Sequence, residues 1–275
     1  MMDGDSLGKQ MSEQPKQEPI AQALQQFTRR VSGSDGQPGL VYQHNGFLIY
    51  AGGDDVLAVL PIDQALPCAL AIREYYQATF EPSPSISTSI SAAIEFAHIR
   101  MPLTKVLRDA HQLLDEVAKE RCERDALAVR VWKPGGRALE WAMKWKDACD
   151  AYAGDKQVTL NRLAKSFGAY QEEYDQDGQF SNKFFYKIRD RLELLNPPQN
   201  NPAGRSPLTP NQAIDLMAAE YVNSGLCRKF PKRAEQLRHA RVMVEPLLQQ
   251  CVDQSGRYQV DAALLVRFLA QKEVS

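Results

Sequence analysis

Residues 47–61 read FLIYAGGDDVLAVLP. Two short apolar runs, Phe47–Tyr50 and Val56–Leu60, stand either side of AGGDD. Runs of that length around Gly and Asp predict two strands joined by a tight turn. Both runs are almost continuously apolar, so the hairpin is expected in the middle of a sheet, buried on both faces. Upstream, Ile20, Ala23, Leu24, Phe27 and Val31 share one helical face. Downstream, Asp63 can cap a helix running to about Phe80, with Ala69, Leu70, Ile72 and Tyr76 along it. Ser85–His98 begins rich in β-branched residues and reads as a strand. Pro102 can open a long helix, in which Leu103, Val106, Leu107, Ala110, Leu113, Leu114 and Val117 repeat at helical spacing. Asp125–Trp132, a turn at Pro134-Gly135-Gly136, and Arg137–Trp141 read as a closing hairpin or strand.

The order is (β)-α-β-β-α-β-α-β over residues 1–145. It predicts an α+β domain with helices packed on a mainly antiparallel sheet. Beyond Lys146 the strand signals fade. Leu160–Tyr174, Asn182–Leu195, Thr209–Asn223, Lys232–Cys251 and Val260–Gln271 read as helices, so residues 146–275 are expected to form an all-α domain. Ser32–Gly39 reads as a loop and Asn196–Pro210, rich in Pro and Asn, as a surface linker.

The chain has 275 residues, 44% hydrophobic and 24% charged, with 33 Lys plus Arg against 34 Asp plus Glu. That is ordinary globular composition for one large domain or two of usual size. A net charge of −1 excludes a generally basic nucleic-acid coat but allows a local patch. There is no apolar run of the roughly 18 residues that a membrane helix needs. Met1–Gln10 is too acidic and polar for a secretory signal. Five scattered cysteines without a CxxC pair exclude a zinc ribbon and suggest reduced thiols in a cytoplasmic protein. The four histidines lie apart in the sequence and read as structural or solvent-exposed. Trp132, Trp141 and Trp145 read as core rather than as stacking platforms for bases.

Two acidic stretches carry the chemistry: Asp3-Gly4-Asp5 and Gly52-Gly53-Asp54-Asp55. With the first strand beside the hairpin, carboxylates from both can converge on hard divalent cations, which take oxygen ligands. Two such ions can activate a hydroxyl and stabilise a pyrophosphate leaving group. Gly52 and Gly53 permit a sharp turn and close approach of a nucleotide. Gly4 and Gly8 would present backbone N–H groups to phosphates where the chain enters its first helix. The bland alternative is that GGDD is simply a turn.

These residues resemble a known family. MDGDSLG, then YAGGDDVLAVLP, then SISAAIEFAHIRMPL and LLDEVAKE look like the second palm domain of the large, polymerase-like subunit of type III CRISPR effector complexes, nearer the III-B branch. The final LLVRFLAQKE looks like that family's C-terminal helix, so the likeness runs through nearly the whole chain. It implies a ferredoxin-like, nucleotide-cyclase palm followed by an all-α domain. It also implies Mg2+ or Mn2+ as cofactor and ATP as substrate, polymerised into cyclic oligoadenylates when target RNA pairs with guide RNA. The implied partners are the other subunits of the ribonucleoprotein and both RNAs, in the cytoplasm and with no membrane. By this resemblance Asp3 and Asp54 hold metal with Asp55 assisting, and Gly52 and Gly53 lie against the nucleotide. Lys119 reaches terminal phosphates or is a solvated lysine on a charged helix end. Ser6 and Lys9 are further candidates for phosphate contact.

The sequence also departs from the family. No stretch of these 275 residues is expected to form the nuclease-like domain or first palm of full members. Only Met1 and Met2 precede Asp3, where a strand of about five or six residues is expected. The central strand is therefore expected to be nearly missing, as in a fragment, a split-gene product, a mis-called start or a chain completed by a partner. Little or no activity is expected from this polypeptide alone.

Arg228, Lys229, Lys232, Arg233, Arg238 and Arg241 crowd around Phe230 with only Glu235 opposing. The segment, Arg228, Lys229, Lys232 and Arg233 above all, either tracks an RNA backbone or is a solvated helix face. Two other readings stand beside the synthase: a non-catalytic scaffold that binds RNA and a neighbouring subunit, and a diguanylate cyclase. The second fits poorly, because Asp55 and Val56 stand where those enzymes carry Glu and Phe.

Overall fold

A computed structural model describes residues 1–34, 36–133, 136–152, 154–174, 179–197 and 208–272. The expected turn at Pro134-Gly135 and residues 198–207 of the expected linker lie outside the described residues. The chain divides into two compact units, Met1–Val158 and Thr159–Ser275.

The first unit runs β1 (Met2–Asp5), α1 (Leu7–Met11), α2 (Gln14–Ser32), β2 (Gly33–Ser34), β3 (Gln37–Pro38), α3 (Leu40–Gln43), β4 (Phe47–Gly52), β5 (Asp55–Val59), α4 (Ile62–Phe80), β6 (Ser89–Phe96) and α5 (Leu103–Gln112). A π-helical segment, Leu113–Arg121, continues α5. Then come β7 (Ala126–Lys133), β8 (Gly136–Lys144), α6 (Trp145–Ala148), β9 (Cys149–Tyr152) and β10 (Asp155–Val158). The main sheet has the order β4-β5-β1-β6-β7-β8, with β6–β7 its one parallel pair. The α+β reading thus holds. The β9–β10 hairpin was not foreseen, and it lies in the stretch read as the start of the helical half.

The central strand is present. β1 pairs with β6 along its whole length, from Met2 opposite Ala92 to Asp5 opposite Ser89, and meets β5 at Met2 opposite Val56. The ladder reaches Met1, whose carbonyl accepts from Ala93 N–H at 2.8 Å. Four residues suffice because the side-chain alternation of a strand serves two helical layers at once. Asp3 points to Lys119 on the π-helical segment, whereas a Cβ on Gly4 would point at Tyr76 on α4. On the first face Ala93 and Ala128 pack with Leu113, Leu114, Val117 and Ala118. On the other, Tyr76 is fully buried between Phe27 (5.1 Å, edge-on) and Phe80 (4.9 Å).

The expectation of a hairpin buried mid-sheet is overturned. β4 is an edge strand, and Phe47, Tyr50 and Val59 are 64%, 54% and 56% exposed. Short β1 touches β5 at a single residue pair, so Leu57–Val59 run on without an inner neighbour strand. Continuity of an apolar run reports composition, not strand order, and here it misled. Asp63 lies in the first turn of α4, but Pro61 occupies the cap position and no side chain caps it.

In the second unit, α7 (Thr159–Tyr174), α8 (Gln179–Leu195), α9 (Pro210–Asn223), α10 (Arg233–Gln250) and α11 (Asp261–Lys272) match the five expected helices. Thr209 and Gln212 form a reciprocal capping box at the start of α9. Phe167 packs on Phe185 at 5.0 Å and Phe184 on Tyr221 at 5.2 Å. Asn196, at the head of the expected linker, is pinned by two hydrogen bonds to the backbone of Tyr258, at 2.9 and 2.7 Å. Among the described residues no helix is long and apolar enough to cross a membrane. All five cysteines are unpaired.

Candidate functional site

The β4–β5 connection is a two-residue loop, Gly53-Asp54, with Gly52 opposite Asp55. Gly53 has φ +62°. A positive φ at the first loop position belongs to the hairpin turns that follow strand twist and favours glycine. Gly52 lies under the Tyr50 hydroxyl, which a Cβ there would displace. Helix α2 steadies the turn, since Thr28 Oγ1 donates to Gly53 O at 3.3 Å.

The turn meets β1. A Cβ on Gly4 would lie 2.5 Å from Asp54 Oδ2 and 2.8 Å from the Tyr76 hydroxyl. Glycine is therefore required at position 4 for the close approach of Asp54. Gly4 itself stays within the strand opposite Ile90, not at a helix entrance as the phosphate reading supposed. The Asp3 and Asp55 carboxyls stand close enough for Asp3 to raise the Asp55 pKa. Three carboxyl groups, Asp3, Asp54 and Asp55, thus lie close enough to perturb one another.

The charges show this crowding. Burial pushes the Asp54 carboxyl above its ordinary range, and the nearby Asp3 charge adds to the effect against a backbone hydrogen bond. The Asp55 carboxyl is pushed up to about 6, first by burial, then by the Asp3 carboxyl and the charge of Asp54. Lys119 opposes both shifts and is ion-paired with Asp3 Oδ2. Among the described residues no three acidic, His or Cys side chains stand in metal-ligating geometry. The donor set nonetheless suits a hard cation: hard oxygens, mutual repulsion that a cation relieves, and one compensating lysine. Asp3, Asp54 and Asp55 are the residues that would hold it.

Asp5, two residues from Asp3, has a different task. It is buried and accepts from Ser89 Oγ (2.6 Å), Ser91 Oγ (3.0 Å) and Asp125 N–H (3.1 Å). Asp125 pairs in turn with buried Arg73 at 3.1 Å. Asp125 ends a run, Glu123-Arg124-Asp125, with φ of 55°, 66° and 43°. Three consecutive non-glycine residues in the left-handed region are rare, and each costs on the order of 1–3 kcal/mol. The run is held by Lys144 Nζ, which donates to the carbonyls of Glu123 (2.7 Å) and Arg124 (3.0 Å). Arg124 N–H donates to Lys119 O at 3.1 Å. Strain of this kind clusters at functional sites, and here it fixes the end of the segment that carries Lys119.

Sequence reasoning placed Asp5 with the chemistry rather than in this structural role, and it missed the parts of Tyr76 and Thr28 in the site. Only the polar Thr88-Ser89-Ile90-Ser91 lead-in to β6 could have hinted at a buried partner for Asp5. Of the phosphate candidates, Ser6 is exposed with φ 66° and makes no side-chain cap. Gly8 and Lys9 lie on the five-residue α1 and are exposed, and a Cβ on Gly8 would meet nothing within 4 Å.

Residues 1–128 match the family described as Cas10/Cmr2, second palm domain. Residues 1–128 are a Cas10/Cmr2 palm domain. The chain resembles the CRISPR system Cmr subunit Cmr2 of Pyrococcus furiosus, 40% identical over 128 residues, which is 46% of this chain and 14% of that protein. It also resembles the Cmr2 subunit of Saccharolobus solfataricus, 33% identical over 98 residues, 28% of this chain and 9% of the relative. The chain therefore covers a small part of these relatives' length. The likeness takes in β1, the β4–β5 turn and Lys119, so the whole carboxylate cluster of this chain lies inside the Cas10/Cmr2 palm.

In the second unit, Arg228, Lys229, Lys232 and Arg233 are exposed ahead of and at the start of α10. Arg233 donates to Asn223 Oδ1 at 2.9 Å, Lys232 lies 4.0 Å from Glu235, and Arg241 is ion-paired with Asp215. Lys229 sits over the Phe230 ring at 5.4 Å.

Proposed function

We propose that this Cas10/Cmr2 palm supplies one half of a metal-dependent nucleotidyltransferase site, which makes cyclic oligoadenylates from ATP within a type III CRISPR ribonucleoprotein when guide RNA pairs with target RNA. The observation that carries the reading is the crowding of Asp3, Asp54 and Asp55 at the turn, with the Asp55 carboxyl pushed up to about 6. When bound, Mg2+ or Mn2+ would neutralise triphosphate charge and acidify a ribose hydroxyl. The chain's own residues do the rest. Gly4 leaves the room that Asp54 occupies beside β1, and Asp55 and Asp3 would share one cation. Lys119, released from Asp3, is a point charge for a phosphate oxygen. Gly53 leaves the turn open, since a Cβ there would meet nothing within 4 Å. Catalysis would be positioning and charge neutralisation, with no general base assigned.

A non-catalytic scaffold has one observation in its favour: Lys119 already neutralises Asp3. The exposed Arg228, Lys229, Lys232 and Arg233 suit contact with an RNA backbone under either reading. Turnover of ATP by the assembled complex separates the two. Asp54→Asn and Asp3→Asn should each abolish oligoadenylate formation while leaving assembly and RNA binding intact. Unaltered turnover in both variants refutes the synthase reading. Unaltered salt dependence of RNA binding after Arg228, Lys229, Lys232 and Arg233 become Ala refutes the RNA contact.

A further inference from the structure

The first unit has an open cleft of about 260 Å³ between α2, the β2–β3 hairpin and α4. Its principal walls are Gln22, Gln25, Gln26, Arg29, Arg30 and Tyr75, and none of Asp3, Asp54, Asp55 or Lys119 lines it. Gln22, Gln26 and Arg29 recur at helical spacing on the side of α2 opposite buried Ile20, Ala23, Phe27 and Val31. The core therefore does not require them. Among the described residues no carboxylate lines the cleft. Arg30 stands over the Tyr75 ring, its guanidinium carbon 5.9 Å from the centroid. Basic residues in a helix's last turn also complement its dipole. That accounts for the charge, but not for the concavity, the four amides (Gln22, Gln25, Gln26 and Gln37) or the aromatic wall.

We infer that this cleft binds one nucleotide unit, with its phosphate on Arg29 and Arg30 and its base against Tyr75. Guanidinium forks match phosphate oxygens bidentately. Aromatic rings and guanidinium planes are the surfaces on which unpaired bases stack. Side-chain amides both donate and accept, as base edges and ribose hydroxyls require. The volume falls below the roughly 300–1,000 Å³ that encloses a drug-sized ligand, so one nucleotide fits better than an extended triphosphate. The shared chemistry is a phosphate ester of a nucleoside, from a single-stranded RNA or from a free mononucleotide.

The test uses the full chain with Arg228, Lys229, Lys232 and Arg233 replaced by Ala, in EDTA, which silences any cation-dependent binding at the carboxylates. The probe is fluorescein-labelled hexa-adenylate RNA, read by anisotropy against salt. R29Q/R30Q should weaken binding about tenfold and reduce the log–log salt slope by about 0.7, the value for one lost phosphate contact on a single strand. Tyr75→Ala should weaken binding with the slope kept, and the presence of EDTA separates this cleft from the carboxylate site. R29K/R30K, which keeps both charges, should retain the slope and lose part of the affinity, and it serves if R29Q/R30Q does not melt like the parent. AMP displacing the probe as well as unlabelled hexamer does assigns the free nucleotide; displacement by hexamer alone assigns the strand. Unchanged affinity and slope in a normally melting R29Q/R30Q chain overturns the inference. So does displacement by polyglutamate as effective as by RNA.

Discussion

Gly4→Ala is the sharpest probe of the carboxylate site. The added Cβ would lie 2.5 Å from Asp54 Oδ2, 2.7 Å from Asp54 Cβ and 2.8 Å from the Tyr76 hydroxyl. Ordinary contacts there need close to another ångström, so something must move. Tyr76 cannot: it is fully buried, wedged by Phe27 and Phe80, and its hydroxyl is held 2.9 Å from Thr88 Oγ1. Asp54, in a two-residue loop at the edge of the sheet, is the group that gives way. Overpacking costs about 1–3 kcal/mol, offset by about 0.5–1 kcal/mol from replacing a strand glycine. The net loss is roughly 1–2 kcal/mol, or about 2–8 °C in Tm for a unit of this size. Urea and thermal unfolding measure the loss, and ATP turnover by the assembled complex measures the displacement of Asp54. Gly8→Ala is the matched control. Its Cβ meets nothing, and on a helix it should be neutral or stabilising by up to about 1 kcal/mol. Equal stability and equal turnover in the Gly4→Ala and Gly8→Ala proteins would refute the placement of Asp54 against β1.

Gly53→Ala forces a side chain into φ +62° and should cost about 1–2 kcal/mol in urea unfolding, with Gly53→Asn costing less. Arg130 is 7% exposed and bridges Asp109 (2.7 Å) and Glu140. Arg130→Ala strands both carboxylates and should cost about 3–5 kcal/mol; a loss below 1 kcal/mol in the same assay would contradict the burial of this network. Glu95 is part of the same cluster. Among the described residues no donor faces its carboxyl oxygens, and burial, then Asp109, push its pKa up to about 8 from an ordinary 4.5. The folded state therefore keeps a proton that the unfolded chain releases between about pH 4.5 and 8, and stability falls as pH rises through that window. Glu95→Gln, neutral throughout, should flatten the fall and gain most above pH 8; parallel urea midpoints for parent and variant between pH 5 and 8.5 would show that Glu95 is not the group responsible.

Much of the architecture is local and could be read as such. Helices at Ile20–Val31 and Leu103–Val117 and the five helices of the second unit follow from 3.6-residue periodicity, and the turn at Gly52-Gly53-Asp54-Asp55 from glycine and aspartate chemistry. The meeting of the two acidic stretches follows from placing the first strand beside the hairpin and Lys119 from motif likeness, and the fold brings Asp3, Asp54, Asp55 and Lys119 together. What periodicity could not supply is which strand neighbours which. That is set by pairing between residues far apart in sequence, and it put the most apolar hairpin at the edge of the sheet, where Phe47 and Val59 meet solvent. The roles of two chemically identical neighbours were likewise decided in three dimensions. Asp3 points to Lys119 and Asp55, whereas Asp5 is enclosed by Ser89, Ser91 and the amide of Asp125. Sequence alone determines that a carboxylate is present and which face of its strand it occupies; only partners brought in from 80 to 120 residues away decide whether it is held as structure or left to bind.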